Sequence, residues 1–192
     1  MTPDPVRQFV RWFRRAQRTG TPLAEAMALA TTSRTGAPSV RMVLLKGVDA
    51  RGFVFFTDAR SRKGSDLRAN PRAALAFHWQ RLGRQVRIAG RVTPVSAAEA
   101  DAYWETRPRA SQLAASVSQQ SAPLASRAVL LARWRALTRR TGAGPIPRPA
   151  AWTGFRVVPA EIEFWTHKAH RLHHRELYVR RRWRWTRRLL QP

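Results

Sequence analysis

The stretch AMALATTSRTGAPSVRMVLLKGVDARGFVFFT, residues 26–57, decides the fold. Residues 26–33 read as a strand, Arg34-Thr35-Gly36-Ala37 as a turn and 39–46 as a second strand. Residues 47–52 then read as another turn and 53–57 as a third strand. A parallel crossover needs about a dozen or more residues, so these short connections dictate an antiparallel meander.

Upstream, Asp4-Pro5 pairs an acidic cap with a first-turn proline. Val6, Phe9, Val10, Phe13 and Ala16 then recur at helical spacing and Gly20 is a stop, which predicts a helix within residues 1–20. Downstream, 61–70 reads as a short polar helix or turn, and 72–80 and 84–94 as strands around Arg81-Leu82-Gly83. In the second of these, Val86, Ile88 and Val92 alternate with Gln85, Arg87 and Arg91, giving one apolar and one polar face. Ser96-Ala97-Ala98-Glu99 is a capping box opening a helix that Pro108 stops. A longer amphipathic helix follows Pro123, with Leu124, Ala128, Leu131 and Leu137 expected inward. Three strand candidates close the chain: 155–158, 161–167 and 177–189, the last as a bent hairpin. The sum is one α+β domain over residues 1–192, an antiparallel barrel of six or seven strands with flanking helices.

The 192 residues include 36 basic and 11 acidic ones, a formal charge of +25. Only Lys46, Lys63 and Lys168 among the basic residues are lysines. Such a balance points to an anionic partner without saying which. At 44% hydrophobic residues the chain can bury a core, which excludes wholesale disorder. The absence of cysteine excludes disulfides, thiol catalysis and Cys-ligated metal. No apolar run has signal-peptide or membrane-span length, so a soluble, cytoplasmic protein without membrane contact is expected.

Several segments carry possible chemistry. Arg41-Met42-Val43-Leu44-Leu45-Lys46 puts a cation at each end of an apolar strand. Five residues apart, Arg41 and Lys46 face opposite sides of an ideal strand, so one ligand can use both only if the strand bends or they meet different parts of it. Ser61-Arg62-Lys63-Gly64 joins a hydroxyl, two cations and free helix N–H groups in a way that suits a phosphate. The segments 107–112 and 118–121 read as polar loops flanking a short helix. Arg171, His173 and Arg175 alternate, which would set two guanidiniums and an imidazole on one strand face around an anion. His167, His170, His173 and His174 invite a metal, but only Glu163 and Glu176 lie nearby and the flanking cations oppose it; no metal is expected. Trp183 and Trp185 among arginines could stack on nucleic-acid bases. An amphipathic strand, Trp183 and Trp185 on one face and Arg182, Arg184 and Thr186 on the other, explains them more simply. Nucleic acid is therefore not expected as a partner.

Together these segments resemble one family, the pyridoxine (pyridoxamine) 5'-phosphate oxidases of the FMN-binding split-barrel fold. The likeness runs in order through 39–46, 52–57, 61–64, 70–74, 84–87, 107–112, Gln120-Ser121, Glu163-Phe164-Trp165 and Arg171-Leu172-His173. It implies a homodimer with FMN at the subunit interface. Arg41, Met42, Val43, Leu44, Leu45, Lys46, Phe56, Thr57, Arg62, Lys63, Gln85, Gln120, Ser121, Trp165 and Arg175 match flavin-contacting positions. Lys46, Tyr103, Arg107, Ser111, Arg171 and His173 match positions holding a phosphorylated pyridine substrate, with Arg171 and His173 nearest the chemistry. The implied reaction passes hydride from the substrate's 4' carbon to the flavin, which dioxygen reoxidises to give hydrogen peroxide and pyridoxal 5'-phosphate. A flavin carrier without oxidase activity and an oxidase of another ring compound, as in phenazine-forming relatives, are the alternatives.

The sequence departs from the family signature in places. His174 stands where an acidic or amide residue is usual, which leaves Arg171 or Arg175 without its expected counter-charge. Thr166 replaces Gln, His or Gly, and Leu189 replaces an Arg. The segment before the first helix is short, so an N-terminal lid is expected to be missing. The basic segment 171–192 ends in a hairpin whose turn has no Gly or Asp to make it.

Overall fold

The Asp4 carboxylate accepts the Val6 N–H at 2.9 Å, and Pro5 begins helix α1, Pro5–Arg18. The structure, a computed structural model, describes residues 4–182 and 184–192. Phe9 on α1 is fully buried, its ring 4.8 Å from Phe53 and 5.0 Å from Phe77. Burying such a side chain contributes about 1.5–3 kcal/mol, enough to fix the helix across the sheet.

Nine strands occur among the described residues: β1 Ala26–Thr32, β2 Pro38–Leu44, β3 Gly47–Asp49, β4 Gly52–Asp58, β5 Arg72–Trp79, β6 Arg84–Pro94, β7 Trp152–Thr166, β8 His174–Arg181 and β9 Arg184–Leu190. Helices α2 Arg62–Ala69, α3 Ala97–Glu105, α4 Arg109–Val117 and α5 Arg127–Thr141 lie between them. The sheet runs β2-β1-β5-β6-β7-β4-β3, with β8 paired to β7 and β9 to β8, and every pairing is antiparallel. Strand β7 is the hub. It pairs β6 through residues 155–166, β4 through residues 152–157 and β8 through residues 161–166. The sheet therefore branches on β7 and curls into a half-barrel around Phe9, Leu29, Phe55, Ile88 and Ile162.

The strands of 26–57 form where the sequence places them, with the three-residue strand β3 added inside 47–52, but the expected meander is corrected: β1 and β2 make a hairpin, whereas β4 pairs β3 and β7 at the opposite end of the sheet order from β2. The capping box is formed, Ser96 Oγ accepting Glu99 N–H at 3.1 Å. The candidates 155–158 and 161–167 are one strand. The register shifts between Ala89 and Gly90, with Pro159 opposite Gly90 and Glu161 opposite Ala89, so a bulge absorbs the proline that cannot donate. The closing hairpin is two strands, and Arg182 takes the left-handed conformation (φ +54°) that a Gly or Asp would ordinarily supply. Trp183 lies outside the described residues, while Trp185 packs against the core.

Helix α5 corrects which part of the expected row is covered. Leu124 lies before the helix and is exposed, as are Ala128 and Leu131. Leu137 packs inward as expected, and Trp134 joins it on the cluster of Trp104, Leu113, Ile146 and Trp152. The row 128, 131 and 134 continues one face at helical spacing, and the cluster covers only its C-terminal part, where Trp134 supplies the bulk. Helix α4 begins at Arg109, inside a segment read as loop. Among the described residues no helix is long and apolar enough to cross a membrane.

Candidate functional site

Strand β2 ends at Leu44, and the chain changes partner there. Leu45 N–H donates to Glu25 at 2.9 Å on the β1 side, whereas Lys46 N–H donates to Val54 of β4 at 2.8 Å. This bend resolves the parity problem: Arg41 and Lys46 line one cavity of about 550 Å³. Leu45 turns the other way, its side chain buried in the core, so the structure withdraws that side chain from the expected ligand contacts.

Five cations reach this cavity: Arg41, Lys46, Arg62, Lys63 and Arg107. The wall also includes Met42, Val43, Leu44, Phe56, Thr57, Tyr103, Gln120 and Ser121, and no carboxylate. Ser61 caps α2 by accepting Gly64 N–H at 3.3 Å, which sets Arg62 and Lys63 in the helix's first turn. Lys63 is buried, and its Nζ donates to Gln120 Oε1 at 2.7 Å, Thr57 Oγ1 at 3.1 Å and Ser61 Oγ at 3.3 Å. Burial, and then the nearby Arg41, hold its pKa below the ordinary 10.5. Arg41 donates to Thr31 Oγ1 at 2.7 Å and Ser39 Oγ at 2.8 Å, with Asp66 Oδ2 3.7 Å away. Burial lowers its pKa, with Asp66 opposing the shift and Arg62 adding to it. Cations gathered in a partly desolvated site repel one another until an anion enters.

The far wall is aromatic. Phe56 stacks on Tyr103 with centroids 4.0 Å apart and on Trp152 at 5.2 Å. The Arg107 guanidinium lies over Trp152 at 4.7 Å and donates to the Ser111 carbonyl at 3.1 Å. Its Nε is buried without a partner, and burial lowers its pKa. Ser111 lines not this cavity but an adjoining one of about 700 Å³, which shares Phe56, Thr57, Arg107 and Gln120 with the first.

The other expected residues form a second group. Gln85, Trp165 and Arg175 are successive cross-strand neighbours on β6, β7 and β8. His173 packs on Trp165, ring centroids 4.6 Å apart. None of these lines the first cavity. The expected single strand face of Arg171, His173 and Arg175 is not formed. Arg171 ends a 3-10 turn at φ +62° after His170 at φ +56°, and only Arg175 lies within a strand. Nor does Arg175 lack a counter-charge. Its Nε donates to Glu163 Oε1 at 2.8 Å. The sequence reading missed this role of Glu163, and those of Trp152 and Asp66. Glu163 was discoverable by strand register; Asp66 and Trp152 lie far in sequence from the residues they support.

Comparison with known proteins places the chain in a family. A family model described as pyridoxamine 5'-phosphate oxidase matches residues 13–138, and one for the pyridoxine 5'-phosphate oxidase C-terminal dimerisation region matches residues 152–192. The pyridoxine/pyridoxamine 5'-phosphate oxidase of Anaeromyxobacter dehalogenans is 53% identical over 190 residues, 99% of this chain and 96% of that protein. The Gluconobacter oxydans protein of the same name is 52% identical over 177 residues, 92% and 88% of the two chains. PhzG from Burkholderia lata, solved in complex with tetrahydrophenazine-1-carboxylic acid, superposes with a TM-score of 0.95 at 32% identity, covering 100% and 94% of the two chains. A pyridoxamine 5'-phosphate oxidase-related, FMN-binding protein from Nostoc punctiforme superposes with a TM-score of 0.82 at 20% identity over the whole of both chains, a likeness of fold alone. Fold and relatives together define the class, a split β-barrel oxidoreductase. Within that class, the chain belongs to the pyridoxamine 5'-phosphate oxidase family.

Proposed function

We propose that this protein is a cytoplasmic, FMN-dependent oxidase of pyridoxamine 5'-phosphate or pyridoxine 5'-phosphate. With the amine, substrate, dioxygen and water give pyridoxal 5'-phosphate, ammonia and hydrogen peroxide. The observation that carries this reading is the convergence of five cations on one cavity whose wall holds no carboxylate. Buried Lys63, hydrogen-bonded only to hydroxyl and amide oxygens, marks a place built for an anion, and FMN and its phosphate fit it. Arg41, Arg62, Lys63, Thr57, Gln120 and Ser121 are the residues assigned to hold the cofactor at this cavity. When bound, FMN supplies hydride acceptance and reoxidation by dioxygen.

The chain's own residues bind and orient the substrate. Lys46, Tyr103, Arg107 and Ser111 are assigned to its phosphate, the last from the adjoining cavity. Arg171 and His173 are assigned to the ring, Gln85, Trp165 and Arg175 to the flavin. We infer that this second group reaches the cavity of a partner in a homodimer. Edge strand β2 exposes Val40, Met42 and Leu44 along the cavity wall, an apolar row suited to burial where a second copy closes the cavity. The likeness to PhzG supports a second reading, oxidation of a tricyclic carboxylate. Anaerobic mixing of the flavin-loaded protein with each substrate decides between them. Loss of the oxidised-flavin absorbance with pyridoxamine 5'-phosphate supports the first reading. Loss only with a reduced phenazine carboxylate overturns it, and loss with neither favours a flavin carrier.

A further inference from the structure

Strand β7 presents Trp152 and Gly154 on one face, two residues apart and opposite β4, where Gly154 pairs with Phe56. Trp152 is 5% exposed and lines the adjoining cavity with Ser111, but not the five-cation cavity. It nevertheless touches two residues that do. Its indole is nearly parallel to the Phe56 ring, 7° between planes. The Arg107 guanidinium sits over the same indole. Trp104, edge-on to Trp152 at 4.8 Å, is anchored by its Nε1 donating to the Ile146 carbonyl at 2.7 Å. Gly154 leaves the space Phe56 needs: a Cβ there would come within 2.7 Å of the Phe56 ring.

We propose that Trp152 and Gly154 form a platform that positions Arg107 and Phe56 for the substrate's phosphate end. This deepens the reading given under Proposed function and rests on it. An arginine with an unpartnered, buried Nε has few polar contacts to fix its plane, so the aromatic face beneath it sets the direction in which its N–H edge points. A planar guanidinium stacks on an indole with its donors directed outward in the ring plane, where a phosphate takes two of them. Trp152 is a positioning residue that acts through Arg107 and Phe56.

The test is binding to flavin-loaded protein, by equilibrium dialysis, of 4'-deoxypyridoxine 5'-phosphate, which has no oxidisable 4' substituent, and of its dephosphorylated form. Trp152→Leu is expected to weaken the phosphorylated ligand about tenfold and leave the other within about twofold, at unchanged flavin content. Trp152→Phe, which keeps a smaller ring face, recovers most of that loss. Gly154→Ala, with Trp152 in place but Phe56 displaced, is read only at saturating flavin, where it is expected to weaken the phosphorylated ligand more than the other, and it carries the test if Trp152→Leu does not fold. Equal loss of both ligands, or of neither, overturns the platform. A parent protein that does not prefer the phosphorylated ligand overturns the reading of the site itself.

Discussion

The Arg175 guanidinium is tied to the Glu163 carboxylate at 2.8 Å across the β7–β8 pair, and the same carboxylate accepts Arg87 from β6 at 3.1 Å. Glu163 is 7% exposed, whereas Arg87 is largely in solvent. One buried acid therefore holds three strands together and supplies the counter-charge that His174 does not. Glu163→Gln is expected to cost about 1–3 kcal/mol, read as a lower urea midpoint, because Arg175 loses a charge-assisted bond in a half-buried place. Arg87→Ala removes only the exposed pair and costs less than about 1 kcal/mol. Equal midpoints for parent and Glu163→Gln would show that the carboxylate holds nothing.

Gly64 tests the phosphate-suited turn by sterics. Alanine is the better helix former, yet a Cβ at Gly64 would lie 2.2 Å from the Ala59 carbonyl oxygen. Gly64→Ala is expected to destabilise by about 1–3 kcal/mol and to lower flavin retention, because the turn that carries Arg62 and Lys63 must shift. A stabilised variant, as helix propensity alone would give, contradicts the close packing.

Lys63 makes ligand binding depend on pH. Its folded pKa lies below its ordinary 10.5. Between those two values the unfolded chain holds the extra proton, so the flavin-free protein gains stability as pH rises through that window. A bound phosphate favours charged Lys63, so binding takes up a proton there and FMN affinity falls as pH rises. Dialysis titrations from about pH 7 to about pH 10 should show that fall, and Lys63→Met should flatten it. An affinity that rises over the same range refutes the assignment.

Two arginines separate cofactor from substrate. Arg62→Ala removes a cation at the first turn of α2 and should weaken FMN about tenfold or more, with a smaller effect on the substrate. Arg171→Ala should lower turnover severely while FMN stays bound. Flavin loss in the Arg171 variant, or full flavin retention in the Arg62 variant, reverses the assigned roles.

The partner of β4 was not legible, since β7 lies far along the chain, but the strands and the β1–β2 hairpin of residues 26–57 were, because short apolar runs and tight polar connections mark them. The capping box at Ser96 and the alternation of Val86, Ile88 and Val92 were legible for the same reason: each is a local pattern with one structural answer. Helix α5 was legible only in part, since Leu131 and Trp134 are neighbours on one face and only the distant Trp104–Trp152 cluster selects which part of that face is covered. The Arg171–Arg175 segment was misread as continuous strand because an alternating pattern does not reveal two successive positive-φ residues, His170 and Arg171. At the site, the cations were visible in the sequence. Their supports were not: Asp66 for Arg41, Glu163 for Arg175 and Trp152 for Arg107 are joined by strand pairing and packing rather than by spacing.

Purified protein assayed for bound flavin and then for hydrogen peroxide released on adding pyridoxamine 5'-phosphate in air tests the central claim most directly. The expected result is protein-bound FMN, with peroxide and pyridoxal 5'-phosphate formed one for one. Bound flavin without peroxide, or a protein that takes up no FMN, would contradict it.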